Sequence, residues 1–323
     1  MHLQKSAHHL QDKEIKLAIL GMVDGNGHPY SWSAIFNGYD PEEMARCPFG
    51  AIPDYLGREP KDSLQIPGAR VTHIWADRPE DAAHVAKAAG IPQVVSRPED
   101  VIGHVDAVII ATDKGSEHVA RCRPFVEAGL PIFVDKPLVD REEDLKTFMG
   151  WVDQGARIMS SSCMRYSKEF MPWRKSIHDL GILRYVSITT SKSWERYGIH
   201  ALEAIYPILG PGFQSVLNSG ARERNVVHIR HACGADVNVI AIADMAGGFG
   251  MLQLAGTAGR VQAVFGDTFY AFKKQLEAFI QYLKTGERPF PFSETRELMQ
   301  LVIAGIRSRE EGGTWVMLDG IGG

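Results

Sequence analysis

The residues best suited to chemistry in this 323-residue chain are Asp135, Lys136 and Pro137, which stand in direct succession. They follow the short apolar run Pro131–Val134, which predicts a buried strand. Pro137 cannot donate a ladder hydrogen bond and ends that strand, so Lys136 is held at the sheet edge where open α/β folds bind ligands. A cation fixed there can stabilise negative charge on a bound substrate. The alternative is a surface turn that leaves Lys136 solvated.

His200 is the second candidate, because the ordinary histidine pKa of about 6.5 suits proton transfer near neutral pH. It could take the proton of a hydroxyl group while Lys136 stabilises the oxygen. Arg196 and Tyr197 stand beside it and could bind a hydroxylated or carboxylated substrate. Glu203, about one helical turn beyond, could orient the imidazole ring. The alternatives are a buried histidine that only packs and ordinary contacts at a domain junction.

The elements that must position these residues alternate between strands and helices in the first half of the chain. This pattern predicts an α/β fold with a Rossmann-type doubly wound parallel sheet. Helices are expected over Pro79–Ala89 and Ser116–Ala128, the latter closed by Gly129. The predicted strands are Lys16–Leu20, Val71–Ala76, Gln93–Val95, Asp106–Thr112 and Pro131–Val134.

A glycine-rich turn, Gly21–Pro29, leads from the first strand into a helix expected over Pro29–Phe36. The positive end of a helix favours anions, so the turn could hold a dinucleotide pyrophosphate. The glycines are not spaced as G-x-G-x-x-G, and Asp24 would repel a phosphate, so a plain strand-to-helix turn is an equal alternative. The residues assigned to a cofactor here are Gly21, Gly25, Asn26, Gly27 and His28.

The second predicted strand ends at Asp77, an acid that can accept hydrogen bonds from an adenosine ribose and disfavours a 2′-phosphate. This favours NAD as the cofactor. Arg78 could accommodate the phosphate, which leaves NADP open. Asp77 could alternatively only cap the helix that begins at Pro79.

From about residue 155, strand-like segments follow one another with little helix between them, before two closing helices. This predicts a second, α+β domain built on a large, mostly antiparallel sheet. We expect a dinucleotide-binding domain over 1–150 and a substrate and oligomerisation domain over 151–323, with the last helix able to pack back on the first domain. Asn37–Arg70 is an insertion, either a lid over the site or surface decoration.

Composition narrows the function classes. The net charge of -4 gives no basic footprint for nucleic acid or a membrane surface, and no apolar run could span a bilayer. The four cysteines are scattered without a C-x-x-C pair, so we expect no disulfide framework, no metal site and a cytoplasmic location. The segment Met1–Glu14, with His8 and His9, is polar; we expect a disordered terminus rather than a signal peptide or a metal-binding tail.

Several motifs together resemble the Gfo/Idh/MocA (glucose–fructose oxidoreductase/inositol dehydrogenase) family over nearly the whole chain. The segments that carry the resemblance are Asp106–Thr112 with His118, Glu127–Gly129 with Lys136-Pro137, Met164–Tyr166, Gly198–Glu203 and the two closing helices. The resemblance implies an NAD(P)-dependent oxidoreductase that acts on the CH–OH group of a sugar, polyol or sugar acid. It adds Thr112, His118 and Asp135 to the cofactor side and Arg165 and Tyr166 to the substrate side. An exposed antiparallel sheet face in the second domain would need covering, so we expect a homodimer or homotetramer through that face.

Arg196 departs from the family pattern, which usually has an acidic residue two positions before the glycine that corresponds to Gly198. The family's dehydrogenases are pictured with a Lys, an Asp and a His around the reacting carbon, and here Lys136 and His200 match. Two other functions therefore stay open. One is a relative that uses bound NAD for non-redox elimination or hydrolysis of a sugar derivative. The other is a ligand-binding relative without catalysis.

Overall fold

The computed structural model describes residues 13–247 and 249–322. The segment before residue 13, with His8 and His9, lies outside the described residues, and so does Gly248. No helix in the described ranges is long and apolar enough to cross a membrane. The same ranges contain no cluster of three or more His, Cys, Asp or Glu side chains that could hold a metal ion.

The first sheet is parallel, as the alternating pattern predicts, and has six strands, one more than the five expected. These are β1 (Ile15–Leu20), β2 (Ala69–Trp75), β3 (Gln93–Val94), β4 (Ala107–Ile110), β5 (Ile132–Val134) and β6 (Ile158–Ser160). The strand order β3-β2-β1-β4-β5-β6 confirms the Rossmann-type arrangement. The accompanying helices are α1 (His28–Asn37), α2 (Pro41–Met44), α3 (Ala51–Gly57), α4 (Pro79–Ala88), α5 (His118–Glu127) and α6 (Glu142–Asp153).

The sheet extends past the domain boundary expected at residue 150. A division there would cut through α6 and separate β6 from β5, with which it pairs. The chain leaves β6 through a buried segment whose composition is not that of a linker. We therefore place the end of the first unit after Ser160.

The second sheet is mostly antiparallel, as predicted. Its order is β12-β11-β7-β10-β9-β8-β13, and β7 and β10 form a parallel pair. The strands are β7 (Leu183–Ser191), β8 (Phe213–Asn218), β9 (Arg224–His231), β10 (Asp236–Ile242), β11 (Phe249–Gly256), β12 (Arg260–Val264) and β13 (Val316–Met317). The helices are α7 (Trp173–Ser176), α8 (Ile199–Leu209), α9 (Thr268–Thr285) and α10 (Phe292–Glu310).

Helix α10 contacts both units. Arg307 Nη2 lies 2.8 Å from Glu142 Oε2 on α6, and the main-chain N–H of Val139 donates to Met299 Sδ at 3.4 Å. On its other side α10 receives Trp194, whose indole Nε1 donates to the carbonyl of Val302 at 2.9 Å. The last helix therefore braces the segment between β7 and α8 against the first unit.

Candidate active site

Lys136 lies two residues beyond the end of β5 and is buried, with 2% of its surface exposed. Its Nζ lies 3.5 Å from Asp113 Oδ2 and 5.0 Å from the centroid of the Tyr197 ring. Burial by itself lowers the pKa of Lys136, but the charges of Asp135 and Asp113 outweigh it and raise the pKa above the ordinary lysine value. The solvated turn is therefore excluded, and Lys136 is a charged hydrogen-bond donor held within the protein.

Asp113 is a residue that the sequence analysis missed. Its carboxylate is 1% exposed and bridges two cations, because Oδ1 accepts from Arg196 Nη2 at 2.5 Å while Oδ2 faces Lys136. Asp113 comes just after β4, so the strand order alone places it at the same sheet edge as Lys136. That rule could have found it. Arg196 stands where the resembled family has an acid, and it pairs here with Asp113, an acid from the other domain.

His200 lies near the start of α8 and is 1% exposed. Its Nδ1 is 2.6 Å from Ser162 Oγ, whereas Nε2 is buried and has no hydrogen-bond partner among the described residues. The rings of Tyr197 and Phe249 meet the imidazole edge-on at centroid distances of 4.7 and 4.6 Å. Burial first, and the charge of Lys136 second, hold the pKa of His200 well below its usual value, so the ring is neutral at neutral pH.

Ser162 orients His200, a role that the sequence analysis gave to Glu203. Glu203 instead forms a buried ion pair with Arg165 Nε and accepts from the main-chain N–H of Ser162 at 3.3 Å. Burial raises the pKa of Glu203 even though Arg165 opposes the shift. Glu203 therefore acts on His200 only through the segment that carries Ser162.

Arg165 and Tyr166 do not join the contacts around Lys136. The Arg165 guanidinium lies 4.0 Å from the Phe290 ring centroid, and its Nη1 is 2.7 Å from Glu294 Oε2. It thus ties the end of β6 to α8 and α10. Tyr166 lines a separate cavity against α9. Both residues lie in a 3₁₀ segment, Cys163–Tyr166, that follows β6 after a short connection.

Arg196 and Lys192 reach across to the glycine turn of the first domain. Arg196 Nη2 donates to the carbonyl of Asp24 at 3.1 Å, and Lys192 Nζ lies 3.4 Å from the carbonyl oxygen of Gly25. Lys192 Nζ also donates to Tyr197 Oη at 2.7 Å. Two cations therefore stand at the tip of the turn, where they offset the repulsion that Asp24 would exert on a bound phosphate.

The segment that carries these cations is fixed from beneath by Trp194, which is fully buried. Gly198 and Gly305 allow the indole to fit, since a Cβ on either would come within 2.6 Å of a Trp194 atom. Ser193 Oγ accepts from the main-chain N–H of Arg196 at 3.4 Å and caps the following turn. This anchoring presents Arg196 and the neighbouring ring of Tyr197 to the cleft.

Gly21 ends β1 in the left-handed region, with φ of +89°. A Cβ there would lie 2.7 Å from Thr112 Cγ2, so only glycine fits. Gly25 also has positive φ, +79°, and lies at the tip of the turn. Gly27 differs, because a Cβ there would lie 2.5 Å from Ile52 Cδ1 of the insertion. The first two glycines shape the turn, and Gly27 lets the insertion pack against it.

Asn26, His28 and Asp135 form a buried brace under the glycine turn. Asp135 is fully buried and accepts from Asn26 Nδ2 at 2.9 Å, from the main-chain N–H of Lys136 at 2.7 Å, and contacts His28 Nδ1 at 2.6 Å. Burial by itself raises the pKa of Asp135, but the charges of His28 and Lys136 together with these hydrogen bonds lower it to about 2. These side chains fix the turn relative to Lys136, and their polar atoms face one another rather than the cleft.

His118 and Thr112 close the β4 end of the cleft. Both ring nitrogens of His118 face main-chain carbonyl oxygens, of Leu138 at 2.9 Å and of Thr112 at 2.8 Å. His118 is thus a brace between the loop after β4 and the segment after Lys136. Thr112 Oγ1 is buried and has no hydrogen-bond partner in the described ranges.

Asp77 lies beside the glycine turn and accepts from the main-chain N–H of Met22 at 3.0 Å. Its other oxygen lies 2.7 Å from Nη2 of Arg121, a second residue that the sequence analysis missed. Arg78 pairs with Asp81 on α4 at 2.7 Å and is largely exposed. The arginine that contacts Asp77 is therefore Arg121, from α5.

A cavity of about 230 Å³ opens next to Arg121 between the sheet and α5, and Leu20, Trp75, Ile110 and Phe125 line it. Because Arg121, which contacts Asp77, also lines this apolar slot, the slot is suited to an adenine ring whose ribose lies towards Asp77. The glycine at position 21, the two cations over Gly25 and the unpartnered Thr112 Oγ1 complete a cradle suited to a dinucleotide. The residues present therefore fit NAD.

Residues 55–160 match the model of GFO_IDH_MocA, described as the oxidoreductase family with an NAD-binding Rossmann fold. No curated protein sequence matches the chain. Solved structures share its fold at low identity. A probable dehydrogenase from Thermotoga maritima has a TM-score of 0.74 at 15% identity, over 95% of this chain and 100% of that chain.

Two inositol dehydrogenase structures are similar to the same extent. The scyllo-inositol dehydrogenase from Lactobacillus casei with bound NAD(H) and scyllo-inositol has a TM-score of 0.73 at 14% identity, over 95% of this chain and 100% of that one. A putative myo-inositol dehydrogenase from Sinorhizobium meliloti 1021 has a TM-score of 0.73 at 18% identity, over 94% and 99%. At these identities the likeness establishes the fold, and the model that residues 55–160 match is that of the family which the sequence motifs resemble.

Proposed function

Because residues 55–160 match the model of the oxidoreductase family with an NAD-binding Rossmann fold, we propose that the protein is an NAD-dependent dehydrogenase or reductase of a sugar, polyol or sugar acid. The observation that carries the proposal is the meeting of Lys136 and His200 around one ring. Tyr197 contacts His200 at 4.7 Å and lies under Lys136 Nζ at 5.0 Å, although the two residues come from different domains.

His200 is suited to take the proton of the substrate hydroxyl, since Nε2 is its free nitrogen and its lowered pKa keeps the ring neutral. In this role Nδ1 carries the hydrogen and donates to Ser162 Oγ, which fixes the tautomer. Lys136 donates a hydrogen bond to the same substrate oxygen and stabilises its negative charge. When bound, the nicotinamide supplies the hydride acceptor or donor.

Asp113 and Arg196 set the charge balance of this site. Asp113 keeps Lys136 protonated, and its bond to Arg196 holds that guanidinium over the cleft. Arg196 Nε is buried and has no partner in the described residues, so the guanidinium retains a donor for a substrate oxygen. A hydroxyl or carboxylate of the substrate is the proposed acceptor.

The test is a screen of inositols, sugars and sugar acids with NAD, in which turnover is monitored by the absorbance of reduced nicotinamide. Lys136→Met and His200→Asn should each lower kcat/KM by at least about 100-fold, the usual scale for a positioned acid–base or oxyanion-stabilising group. Lys114→Met is the matched control, because Lys114 is half-exposed and its one ion pair within the described residues is with Glu117. Equal turnover in Lys136→Met and the control would refute the role of Lys136.

A second candidate is non-redox elimination or hydrolysis with retained NAD, favoured by Arg196 standing where the family has an acid. Product formation from a sugar derivative without change in nicotinamide absorbance or added cofactor would select it. A calorimetric titration that shows no affinity for NAD or NADP would instead favour a binding protein without catalysis.

The cofactor form, the assembly and the location complete the proposal. Asp77 favours NAD over NADP. The arginine placed to bind a 2′-phosphate instead is Arg121, which contacts Asp77, and not Arg78. Exposed apolar residues on four strands of the second sheet, Tyr185, Val226, Val264 and Met317, support a homodimer or homotetramer through that sheet. Light scattering measures the mass. The four unpaired cysteines support a cytoplasmic location, which localisation of the tagged protein tests.

A further inference from the structure

A second cavity, of about 510 Å³, lies against the face of α9 that is turned away from the candidate active site. Tyr270, Lys274, Glu277, Gln281 and Lys284 line it from successive turns of that helix. The opposite face of α9 carries Phe272 and Gln275, which contact His28 and Ser161 of the active-site framework. The cavity is therefore separated from Lys136 by the thickness of a helix.

Arg174 supplies the feature of this cavity that calls for a ligand. Its Nε and Nη2 are both buried, and neither has a hydrogen-bond partner among the described residues. These two nitrogens form one edge of the planar guanidinium, the edge to which a carboxylate can bind through two parallel hydrogen bonds. Burial, and secondarily the charge of Arg165, lowers the pKa of Arg174, which shows that no nearby acid compensates it fully.

The two acids whose charges act on Arg174 already form ion pairs with another arginine. Glu203 and Glu294 both bind Arg165. Inside the cavity Glu277 pairs with Lys274 at 2.7 Å, which leaves Arg174 and Lys284 as a positive excess. Lys284 Nζ lies beside the main chain of Gly68, since a Cβ on that glycine would be 2.8 Å away. The cavity therefore attracts an anion.

The remaining walls are apolar or aromatic and include Ile66, Met171 and Ile280 together with the rings of Tyr166 and Tyr270. Ile66 and Pro67 come from the insertion Asn37–Arg70, whose role the sequence left open between a lid and decoration. Lys273 of α9 also donates to the carbonyl of Ser63 in the insertion. The insertion thus forms one wall of this second cavity. Because most of the walls are apolar, an anion that fills the cavity should carry an apolar group beside its charge.

We propose that this cavity is a binding site for a small organic carboxylate, with the apolar body between the insertion and α9 and the carboxylate on the half-buried Arg174 guanidinium, which turns on binding to present Nε and Nη2. Benzoate is the probe, because it presents one carboxylate on a flat apolar ring. Benzyl alcohol is the matched neutral probe. Calorimetry or ligand-observed NMR on the full chain measures both.

Benzoate should bind saturably, and benzyl alcohol should bind at least about tenfold more weakly, since it cannot make the charged pair of hydrogen bonds. Arg174→Gln should weaken benzoate by at least about tenfold, and Arg174→Lys should recover only part of it, because an ammonium has no bidentate edge. Lys175→Gln is the matched control, an exposed cation on the same short helix. Lys136→Met should bind benzoate unchanged, which separates this cavity from the active site.

Gln281→Glu provides a second variant for the case in which Arg174→Gln fails to fold. Gln281 is exposed at the cavity rim, so a carboxylate there is tolerated by the fold and should weaken benzoate by repulsion. Equal benzoate binding in Arg174→Gln and Lys175→Gln would overturn the proposal. So would a wild-type protein that shows no saturation, or one in which Arg174→Gln changes only the oligomeric mass, because the guanidinium would then be covered by a second copy.

Discussion

Asp113→Asn removes one charge from the bridge between Lys136 and Arg196 while keeping its shape. At an effective dielectric constant of about 20, a pair of unit charges 3.5 Å apart interacts by roughly 5 kcal/mol. Much of this interaction energy is compensated in the variant. Lys136 keeps the nearby charge of Asp135, and the guanidinium of Arg196, which is 30% exposed, can be solvated by water. We expect a net loss of about 2–3 kcal/mol in the free energy of unfolding, slightly below the range for breaking a buried pair.

The same substitution should change the pH dependence of activity. Asp113 raises the pKa of Lys136, so its removal lets Lys136 lose its proton at lower pH. The alkaline limb of kcat/KM should therefore move to lower pH in Asp113→Asn. A purely structural role would lower the stability without moving that limb.

The assays are urea unfolding at neutral pH and kcat/KM across the alkaline range with the substrate identified by the screen. Asp54→Asn is the control, because Asp54 is exposed on α3 and far along the chain from the bridge. An Asp113→Asn variant with the stability and alkaline limb of this control would refute the bridge as the source of the Lys136 charge.

Three further outcomes follow from the brace, the imidazole and the turn. The lowered pKa of His200 means that the unfolded state binds the proton first, so stability is full above about pH 6.5 and falls on acidification by up to about 1.4 kcal/mol per pH unit; His200→Gln should flatten this slope in urea titrations. Asp135, with a pKa of about 2 against 3.8 unfolded, contributes about 2 kcal/mol that is present above pH 4 and lost as pH falls towards 2, and Asp135→Asn should remove that acid-dependent loss. Gly21→Ala places a Cβ 2.7 Å from Thr112 Cγ2 at a φ of +89°, so it should cost about 1–3 kcal/mol and weaken NAD binding in calorimetry. Gly129→Ala, with a φ of +71° but open space around the Cβ, should cost less and leave the NAD affinity unchanged.

The Rossmann half could be read from the sequence because its signals are local. Apolar runs of strand length, helices opened by proline and a glycine at each turn recur at short intervals, and the structure repeats them within a few residues. The strand β6 was missed because three residues, Ile158–Ser160, carry no periodicity of their own. Its identity as a strand depends on pairing with β5.

The candidate site divides in the same way. Lys136 and His200 stand out through their neighbours in sequence, a proline in one case and a G-x-H turn in the other. Asp113 pairs with Arg196 across 83 positions, and Ser162 contacts His200 across 38. The first contact depends on how the two domains pack, and the second on how the segment after β6 folds against α8; no pattern along the chain records either.

The sequence alone thus determined where Lys136 lies in the fold, because the proline after it ends a strand whatever surrounds that strand. The environment of that position was decided by the tertiary structure. Burial, the carboxylate of Asp113 and the ring of Tyr197 together make Lys136 a charged donor aimed at the cleft. The physical reason is that a pKa responds to every charge and every lost water nearby, and those are brought together only when the chain has folded.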